Sequence, residues 1–566
     1  MEQSAFLAGP RGGPANAAEP AGAAGQWPGG RRVPKVATPP VVAILPWERL
    51  WAIVLRWRLP LALAGTALLA LAIRLPAFTE VPGYTDETEE ALLALRIFSG
   101  MAHPLTNVAP YIGPGWNYLL AGLFLVVGPS PDAPRALMVL LGTATVPLVG
   151  WLAARQAGLA GGLVAAGLMA TSGLAVLLGS HVAWSVCTTP LLFGLSLVLF
   201  HVALERDAGR WFAGAALSYA FAVQAHPVVS ASGPGLLAAL LAAPAGRRLL
   251  RSRWAGLGAL LGLLVLAPPL ISAVTGASPL VELQGPLHRR TFLPTLVPGE
   301  VLLRVPALLG QLLRAASSVL QEDEGGAGCC LSPRLALFAL WLGTGLVVAL
   351  RRCAWLLVLP LLSYTLLWPL VNANYRLFWE ARYTIHQLPV LYTLLALPAA
   401  ELAARAARLS PLSRRLAARL TLGGLLVGAC LWPLDGLWSY TQLQRAHGHD
   451  NGPLLEALRL ADEHGGSRTL LLVDGGLKKP GLEGGGTYFQ SVIYRRAMAG
   501  APYRAVDASA GEEERNLRAT GPERILLLSR PRQAHKLKAV YALQEVRRFE
   551  ASGELLFVLY RGTKRH

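Results

Sequence analysis

The sequence predicts a polytopic, all-α membrane protein that carries a small α/β domain at its C-terminus. Hydrophobic residues make up 53% of the 566-residue chain. Charged residues make up only 15%, whereas soluble proteins contain about 25%. The apolar residues also occur in long blocks, as in membrane-spanning helices. Short strand-like segments appear only near the end of the chain, and they predict the additional domain.

The net charge of +18 does not indicate a nucleic-acid-binding protein. Much of the excess arginine lies in short loops between apolar blocks, where basic residues set the orientation of a membrane protein. We therefore expect membrane lipids, and no nucleic acid, as partners. The five cysteines lack metal-ligand spacing, and neither a metal site nor a cofactor is predicted.

The N-terminal segment, residues 1–48, is rich in Gly, Ala, Pro and Arg, and its composition predicts a disordered segment. The first apolar block, about Pro60–Pro76, begins too late in the chain for a cleaved signal peptide, so a retained anchor is predicted. Arg49, Arg56 and Arg58 precede this block and predict a cytoplasmic N-terminus. The segment after the block is therefore expected at the outer face.

About eleven membrane spans are predicted within residues 49–437. The run Ile112–Val127 is short for a span. If it lies at the outer interface, every strongly basic loop downstream falls in the cytoplasm. A second interfacial helix is predicted at Val301–Leu320, which is amphipathic. The predicted spans are about Pro60–Pro76, Ala136–Ala154, Ala160–Leu178, Thr188–Leu204, Trp211–Val223, Val228–Ala243, Ala255–Val274, Leu335–Leu350, Trp355–Val371, Thr384–Ala400 and Leu420–Leu437.

Residues 438–566 are predicted to form a small extracytoplasmic α/β domain. Charge rises in this region, and strand-like and helical segments alternate. The parity of the preceding spans places the domain outside. The predicted strands are Thr469–Asp474, Arg524–Ser529 and Glu554–Tyr560, and the predicted helices are Leu454–His464, Tyr488–Met498 and Arg532–Leu543.

Four carboxylates, those of Asp86, Glu87, Glu89 and Glu90, follow the first span within five residues. Ionisable groups close to lipid are costly, and they are usually functional or paired. In a structural interpretation, Asp86 and Glu89 form a capping box at the start of a helix Glu87–Ser99. That interpretation accounts for one or two of the acids. In a catalytic interpretation, a carboxylate close to an acceptor hydroxyl acts as a general base.

The stretch Tyr84–Glu87 (YTDE) resembles the acidic loop motif of GT-C glycosyltransferases. More narrowly, it is similar to that of protein O-mannosyltransferases and 4-amino-arabinose lipid A transferases. Further segments resemble motifs of this family, over about residues 55–400: Pro114–Tyr118, Pro129–Leu141 with Arg135, Gln224–Pro227, and Ala381–Tyr383 followed by Pro389. The chain departs from the family in Ser180–Ser185, because this loop lacks the carboxylate that members often carry there.

The resemblance implies a GT-C fold and roles for particular residues. Asp86 is expected to be the general base, and Glu87 to orient the acceptor or donor. Arg382 is expected to hold the lipid phosphate, because a planar guanidinium matches phosphate oxygens. Glu89 and Glu90 are assigned to capping or solvating the helix. The other expected substrate-binding residues are Tyr84, His181, Gln224, His226 and Tyr383.

Structural alternatives remain open for two of these residues. Arg382 also fits an interface anchor or a partner of Glu380, and His226, which precedes Pro227, also fits a polar cap at the end of a span. Both positions lie at span ends, where such anchors are common. The catalytic and structural interpretations therefore make different predictions about what each side chain contacts.

The resemblance implies an enzyme of the bacterial inner membrane. It would move a sugar from a polyprenyl-phosphate donor to an acceptor hydroxyl on a glycolipid, polysaccharide or protein at the outer face. One alternative is a transporter or flippase of a lipid-linked substrate, although no internal repeat is visible. Another is a non-catalytic scaffold, which the missing loop carboxylate keeps open.

Overall fold

Long apolar helices dominate the structure, a computed structural model. It describes residues 46–76, 85–275, 298–317, 333–371, 381–409, 411–414, 416–420, 452–465, 469–475, 488–506, 511–551 and 554–565, with a few single residues and pairs between them. Three predictions fall outside the described residues: the disordered segment before residue 46, the site residue Tyr84, and most of the span Leu420–Leu437.

The helices up to residue 409 follow the order of the predicted apolar blocks. They are α1 (Pro46–Arg74), α2 (Thr85–Phe98), α3 (Gly115–Val127), α4 (Ala133–Thr171), α5 (Thr189–Arg206), α6 (Gly209–Ala225), α7 (Gly233–Ala242), α8 (Pro244–Leu250), α9 (Arg253–Thr275), α10 (Pro298–Ser317), α11 (Pro333–Arg351), α12 (Trp355–Val371) and α13 (Leu388–Ala407). Short helical turns lie at Gly173–Val176, Leu177–His181, Ser185–Thr188, Pro227–Ser232, Ala381–Tyr383 and Ile385–Gln387.

Several of these helices are suited to a membrane by length and composition. In the described part of the chain, five are long and apolar enough to cross it, and a sixth is counted if the bent pair Pro227–Ala242 and Pro244–Leu250 is one span. Gly115–Val127 is a shorter apolar helix, at the position of the predicted interfacial segment. The number of eleven spans remains a prediction.

Gly158 divides α4 into two arms. Its φ of 69° lies in the left-handed region, which glycine adopts without steric cost. The arms then pack closely, because Gly150 lies against Ala166, and Gly142 lies against Gly179 in the turn Leu177–His181 that follows α4. The break falls between the two spans predicted at Ala136–Ala154 and Ala160–Leu178.

Arg74 joins the end of α1 to the end of α4. Its guanidinium is buried and donates hydrogen bonds to the carbonyl oxygens of Ala170 and Met169, each at 3.1 Å. The last carbonyl groups of a helix have no partner within the helix. Arg74 therefore supplies donors where α4 lacks them, and it fixes the position from which the chain continues towards α2.

The C-terminal region contains a five-stranded sheet among its described residues, in the order β2-β1-β3-β5-β4. The strand β1 pairs in parallel with both β2 and β3, whereas β3–β5 and β4–β5 are antiparallel. The strands are β1 (Leu471–Asp474), β2 (Tyr503–Val506), β3 (Arg524–Ser529), β4 (Tyr541–Ala551) and β5 (Glu554–Lys564). The helices are α14 (Gly452–Gly465), α15 (Tyr488–Met498), α16 (Gly511–Thr520) and α17 (Pro531–Leu537).

The predicted small C-terminal α/β element is confirmed, with one correction. The helix predicted at Arg532–Leu543 ends at Leu537, and the chain enters the strand Tyr541–Ala551. This strand contains Ala, Leu and Glu, which favour a helix locally. Its pairing with Glu554–Lys564 overrides that preference. The extracytoplasmic location remains a prediction.

Candidate functional site

The four clustered acids in the helix Thr85–Phe98 differ in their burial. Glu87 and Glu90 are buried, as are Ala91 and Ala94 further along the same helix. Positions three and four residues apart share one face of a helix, so both carboxylates lie on the face that packs inward. The assignment of Glu90 to capping or solvating the helix is therefore wrong.

Asp86 lies in the first turn of this helix, because the helix begins at Thr85. The predicted capping box requires Asp86 to precede a helix that starts at Glu87, so its boundary is shifted. The negative charges of Asp86 and Glu87 still suit the positive end of the helix dipole. This leaves the Asp86 carboxylate exposed enough to contact other segments.

The carboxylate of Asp86 forms an ion pair with Arg382. The distance from Arg382 Nη1 to Asp86 Oδ2 is 2.7 Å, and the Asp86 side chain is 52% exposed. The two residues belong to segments that are far apart in the chain, one after α1 and one before α13. The structure thus joins the predicted base to the predicted phosphate-binding residue.

Aromatic rings fix the guanidinium of Arg382 in its position. Its Cζ atom lies 4.9 Å from the centre of the Trp184 ring and 5.1 Å from that of Tyr383. Its Nη2 atom also donates to the hydroxyl of Tyr383, at 3.3 Å. Cation–π contacts of this kind hold a guanidinium without neutralising its charge. Arg382 can therefore still attract an anion.

Glu87 is held by Arg135, at the start of α4. Arg135 donates from Nε and Nη2 to the two carboxylate oxygens, at 2.6 and 2.8 Å. The backbone N–H of Ala183 donates to the same carboxylate, at 3.1 Å. Such a paired arrangement binds α2, α4 and the loop after α4 together. The predicted role of Glu87 in orienting the substrate remains a prediction.

Glu90 accepts hydrogen bonds from the loop Ser180–Ser185, which contains no acidic residue. The backbone N–H of Ser185 donates to Oε2 at 2.8 Å, and the Ser185 hydroxyl donates to Oε1 at 2.9 Å. The side chain of Asn107 donates to Oε1 at 2.7 Å. Burial raises the pKa of Glu90 to about 8, against the effect of these hydrogen bonds. Burial and the Asp86 carboxylate also raise the pKa of Glu89.

A cavity of about 210 Å³ connects these groups. It brings together three of the four clustered acids, Arg382 and several aromatic side chains, so it combines ionic groups with surfaces suited to a sugar ring. Its lining residues are Asp86, Glu89, Glu90, Val108, Ala109, Tyr111, Ile112, Trp184, Ser185, Val186, His226, Arg382 and Tyr383.

His226 contributes a neutral ring to this cavity. The backbone N–H of Val228 donates to His226 Nδ1 at 3.2 Å. The Nδ1 atom is therefore unprotonated, and the neutral ring carries its proton on Nε2. Burial lowers the pKa of His226 to about 3, and the positive charge of Arg382 acts in the same direction. His226 thus has a fixed tautomer, in which Nδ1 accepts from Val228 and Nε2–H remains as a hydrogen-bond donor.

Three predicted site residues, Glu87, His181 and Gln224, lie outside the lining of this cavity. His181 is buried, with the Ser180 hydroxyl 2.8 Å from its Nδ1 atom. Gln224 is also buried, and its Nε2 atom donates to the carbonyl oxygen of Val265 at 2.6 Å. The backbone carbonyl of Gln224 accepts from the N–H of Gly113. Gln224 therefore positions the segment before α3.

Three further cavity residues, Glu90, Trp184 and Ser185, carry only weak signals in the sequence. Glu90 shares a helix face with Asp86 at a spacing of four, which places both acids near one surface. Trp184 and Ser185 belong to the loop Ser180–Ser185, whose sequence stands out only by its lack of a carboxylate. Sequence spacing cannot reveal that Glu90, from an earlier helix, reaches Ser185 in this loop.

Metal binding finds no support in the described side chains. Within the ranges given above, no group of three or more His, Cys, Asp or Glu residues is arranged to hold a metal ion. The cavity is instead organised by the ion pair of Asp86 with Arg382 and by the hydrogen bonds of Glu90. The absence of a metal site from the chain remains a prediction.

Comparison with known families identifies part of the chain. A family model described as dolichyl-phosphate-mannose-protein mannosyltransferase matches residues 107–271. These residues include Trp184, Ser185 and His226 of the cavity, and they exclude the acidic helix and Arg382. No curated protein sequence matches the chain.

Solved structures are similar to the chain at low sequence identity. ArnT from Cupriavidus metallidurans bound to undecaprenyl phosphate has a TM-score of 0.54 and 12% identity, over 90% of this chain and 98% of ArnT. The apo state of the same protein gives 0.53 and 12%, over 91% and 98%. The oligosaccharyltransferase of Archaeoglobus fulgidus tethered to an acceptor peptide gives 0.49 and 12%, over 89% and 74%.

The family model, the ArnT-like fold and the apolar helices agree with the resemblance seen in the sequence. The TM-score of 0.54 to ArnT, at 12% identity, shows similarity of fold, and the mannosyltransferase family model matches residues 107–271 within that fold. The chain has the apolar helices of a multi-pass membrane protein, its fold is similar to that of ArnT, and its residues 107–271 match the mannosyltransferase family model.

Proposed function

We propose that the chain transfers a sugar from a polyprenyl-phosphate donor to an acceptor hydroxyl, at the outer face of a bacterial inner membrane. The observation that carries this proposal is the ion pair between Asp86 and Arg382 beside the cavity. It unites a carboxylate, which can accept a proton, with a guanidinium, which can hold a phosphate. The undecaprenyl phosphate bound to ArnT supports a lipid phosphate as the leaving group.

The proposed reaction is a single displacement at the anomeric carbon. The acceptor oxygen attacks this carbon while its proton passes to the Asp86 carboxylate. The bond between the anomeric carbon and the phosphate oxygen breaks, and its electron pair leaves with the polyprenyl phosphate. Arg382 stabilises the negative charge that develops on that phosphate. Displacement from the opposite side inverts the configuration of the sugar.

Donor binding would change the partner of Arg382. In the structure, the guanidinium is engaged by Asp86, and Trp184 and Tyr383 hold it in place. Phosphate oxygens can compete with the carboxylate for the same donors, because both accept a guanidinium in a similar geometry. A phosphate bound there frees Asp86 for the acceptor hydroxyl.

The remaining polar groups would orient the sugar. Glu90 is fixed by Ser185 and Asn107, so its carboxyl group keeps a defined direction. His226 offers the Nε2–H donor of a fixed tautomer, because its Nδ1 atom already accepts from Val228. Groups held in this way position a substrate at little entropic cost. They suit the hydroxyls of a sugar.

The test is a transfer assay with purified protein and a panel of polyprenyl-phosphate sugars, together with glycolipid, polysaccharide and peptide acceptors. The proposal predicts that one donor yields glycosylated acceptor and free polyprenyl phosphate in equal amounts. A folded protein that transfers sugar from none of these donors would contradict it. A transporter or a scaffold would then explain the fold better.

A further inference from the structure

The helix α15 (Tyr488–Met498) belongs to two hydrophobic cores. Val492 is buried in the core of the C-terminal sheet, together with Leu454 and Leu471. Tyr494 and Met498 are buried in the core formed by the membrane helices. One helix thus connects the C-terminal sheet with the part of the chain that carries the cavity.

Arg496 fixes α15 on the side of the sheet. Its side chain is buried, and Nη1 donates to the carboxylate of Asp462 at 2.5 Å. Its Nη2 atom donates to the carbonyl oxygens of Thr469 and Pro502, each at 3.3 Å. These partners lie beside β1 and β2, so α15 is tied to the sheet by polar contacts as well as by apolar packing.

On its other side, α15 contacts the beginning of α4. The hydroxyl of Tyr494 donates to the carbonyl oxygen of Pro131 at 2.7 Å. The Nη2 atom of Arg495 lies 3.5 Å from Asp132, and the Arg495 side chain is only 15% exposed. Burial raises the pKa of Tyr494, so its hydroxyl stays protonated as a donor. The two contacted residues, Pro131 and Asp132, lie a few positions before Arg135 in the chain.

A small cavity shows how close α15 comes to the acidic helix. It is lined by Glu87, Thr88, Pro131, Asp132, Arg135, Ser491, Tyr494 and Arg495. Residues of α15 therefore lie beside the first turn of α2 and beside the ion pair that holds it. The first turn of a helix lacks intrahelical partners for its N–H groups, so external contacts decide how firmly it is fixed.

We propose that Tyr494 and Arg495 are positioning residues through which the C-terminal sheet fixes the first turn of α2. They hold Pro131 and Asp132, and this places Arg135 to bind Glu87. The fixed turn keeps Asp86 and Glu90 at the cavity. The effect on catalysis rests on the proposed function, whereas the restraint on α2 does not.

The restraint is tested by hydrogen–deuterium exchange of the full-length protein in detergent. The double variant Tyr494→Phe, Arg495→Gln removes both contacts. The amides of α2 are expected to exchange about tenfold faster, because the helix opens locally more often. The control Arg548→Gln removes an exposed ion pair with Glu545 on β4 and should leave α2 unchanged. Unchanged exchange of α2 in the double variant would overturn the proposal.

Transfer kinetics provide the second readout. In the double variant, kcat should fall about tenfold, because a less firmly held α2 keeps Asp86 in place for less of the time, while the donor KM stays near wild type. Arg495→Lys, with Tyr494 intact, should restore most of kcat. A double variant with wild-type kcat would overturn the positioning role. If the wild type transfers no sugar, the proposed function fails, and the exchange experiment alone decides the restraint.

Discussion

The guanidinium of Arg382 meets the carboxylate of Asp86 at 2.7 Å, although 296 positions separate the two residues in the chain. The pair connects the helix after the first span with the segment that leads into α13. The pair joins a carboxylate to a guanidinium, so each side chain supplies the counter-charge of the other. A bound lipid phosphate would enter this pair as a competing anion.

Replacing Arg382 by Lys should weaken donor binding while keeping the positive charge. Lysine lacks the planar fork that stacks on Trp184 and binds two phosphate oxygens. We expect the donor KM and the inhibition constant of free polyprenyl phosphate to rise about tenfold. The control Arg248→Lys alters an exposed pair with Asp207 and should leave both constants unchanged. An unaltered inhibition constant for Arg382→Lys would show that this residue does not bind the phosphate.

Glu90 should make stability depend on pH. Its pKa is raised by burial from 4.5 to about 8, so the folded protein retains a proton that the unfolded chain releases. Its contribution is fully present below pH 4.5 and is lost as the pH rises through about 8, at ~1.4 kcal/mol per pKa unit. The melting temperature of Glu90→Gln minus that of the wild type should therefore be larger at pH 9 than at pH 5. A melting-temperature difference that does not vary with pH would contradict this.

His226 should act as a fixed polar group without titrating. Its pKa is lowered to about 3 by burial and by nearby positive charge, so the ring stays neutral between pH 5 and 8. His226→Phe should lower kcat/KM about tenfold through the loss of a hydrogen bond to the sugar. His226→Gln, which keeps an amide donor and acceptor, should lose less. A pH–rate transition near 6.5 that disappears in His226→Gln would refute the neutral role.

Close packing in α4 should be sensitive to a single methyl group. Gly142 lies against the backbone of Gly179, and a Cβ atom at this position would overlap the Gly179 carbonyl group. Gly142→Ala should lower the free energy of unfolding by about 1–3 kcal/mol, the usual cost of overpacking. The control Gly122→Ala adds a methyl group to open space in α3. Equal melting temperatures for the two variants would show that α4 and the turn Leu177–His181 pack differently.

The fold class could be predicted because apolar composition and helical length act locally. Long apolar blocks define spans wherever they occur, and the break at Gly158 falls where loop residues separate two such blocks. The strand Tyr541–Ala551 could not be predicted, because its pairing partner, Glu554–Lys564, decides its conformation. Its own residues favour a helix.

The site could be predicted only in part, for the same reason. Short sequence motifs predict four site residues that the structure brings to one cavity: Asp86, His226, Arg382 and Tyr383. The buried position of the Glu90 carboxylate depends on its hydrogen bond from Ser185, which lies 95 positions further along the chain. Such contacts follow from tertiary packing and leave no spacing pattern in the sequence.

The most direct test is the transfer rate of Asp86→Asn, compared with that of Asp207→Asn. The two aspartates are matched, because each is paired with an arginine and they are 52% and 49% exposed. Asparagine keeps the shape of the side chain but cannot accept the proton of the acceptor hydroxyl. If Asp86 is the general base, the first variant should transfer sugar at least about a hundredfold more slowly, and the second should match wild type. Full activity of Asp86→Asn would show that Asp86 is not the base.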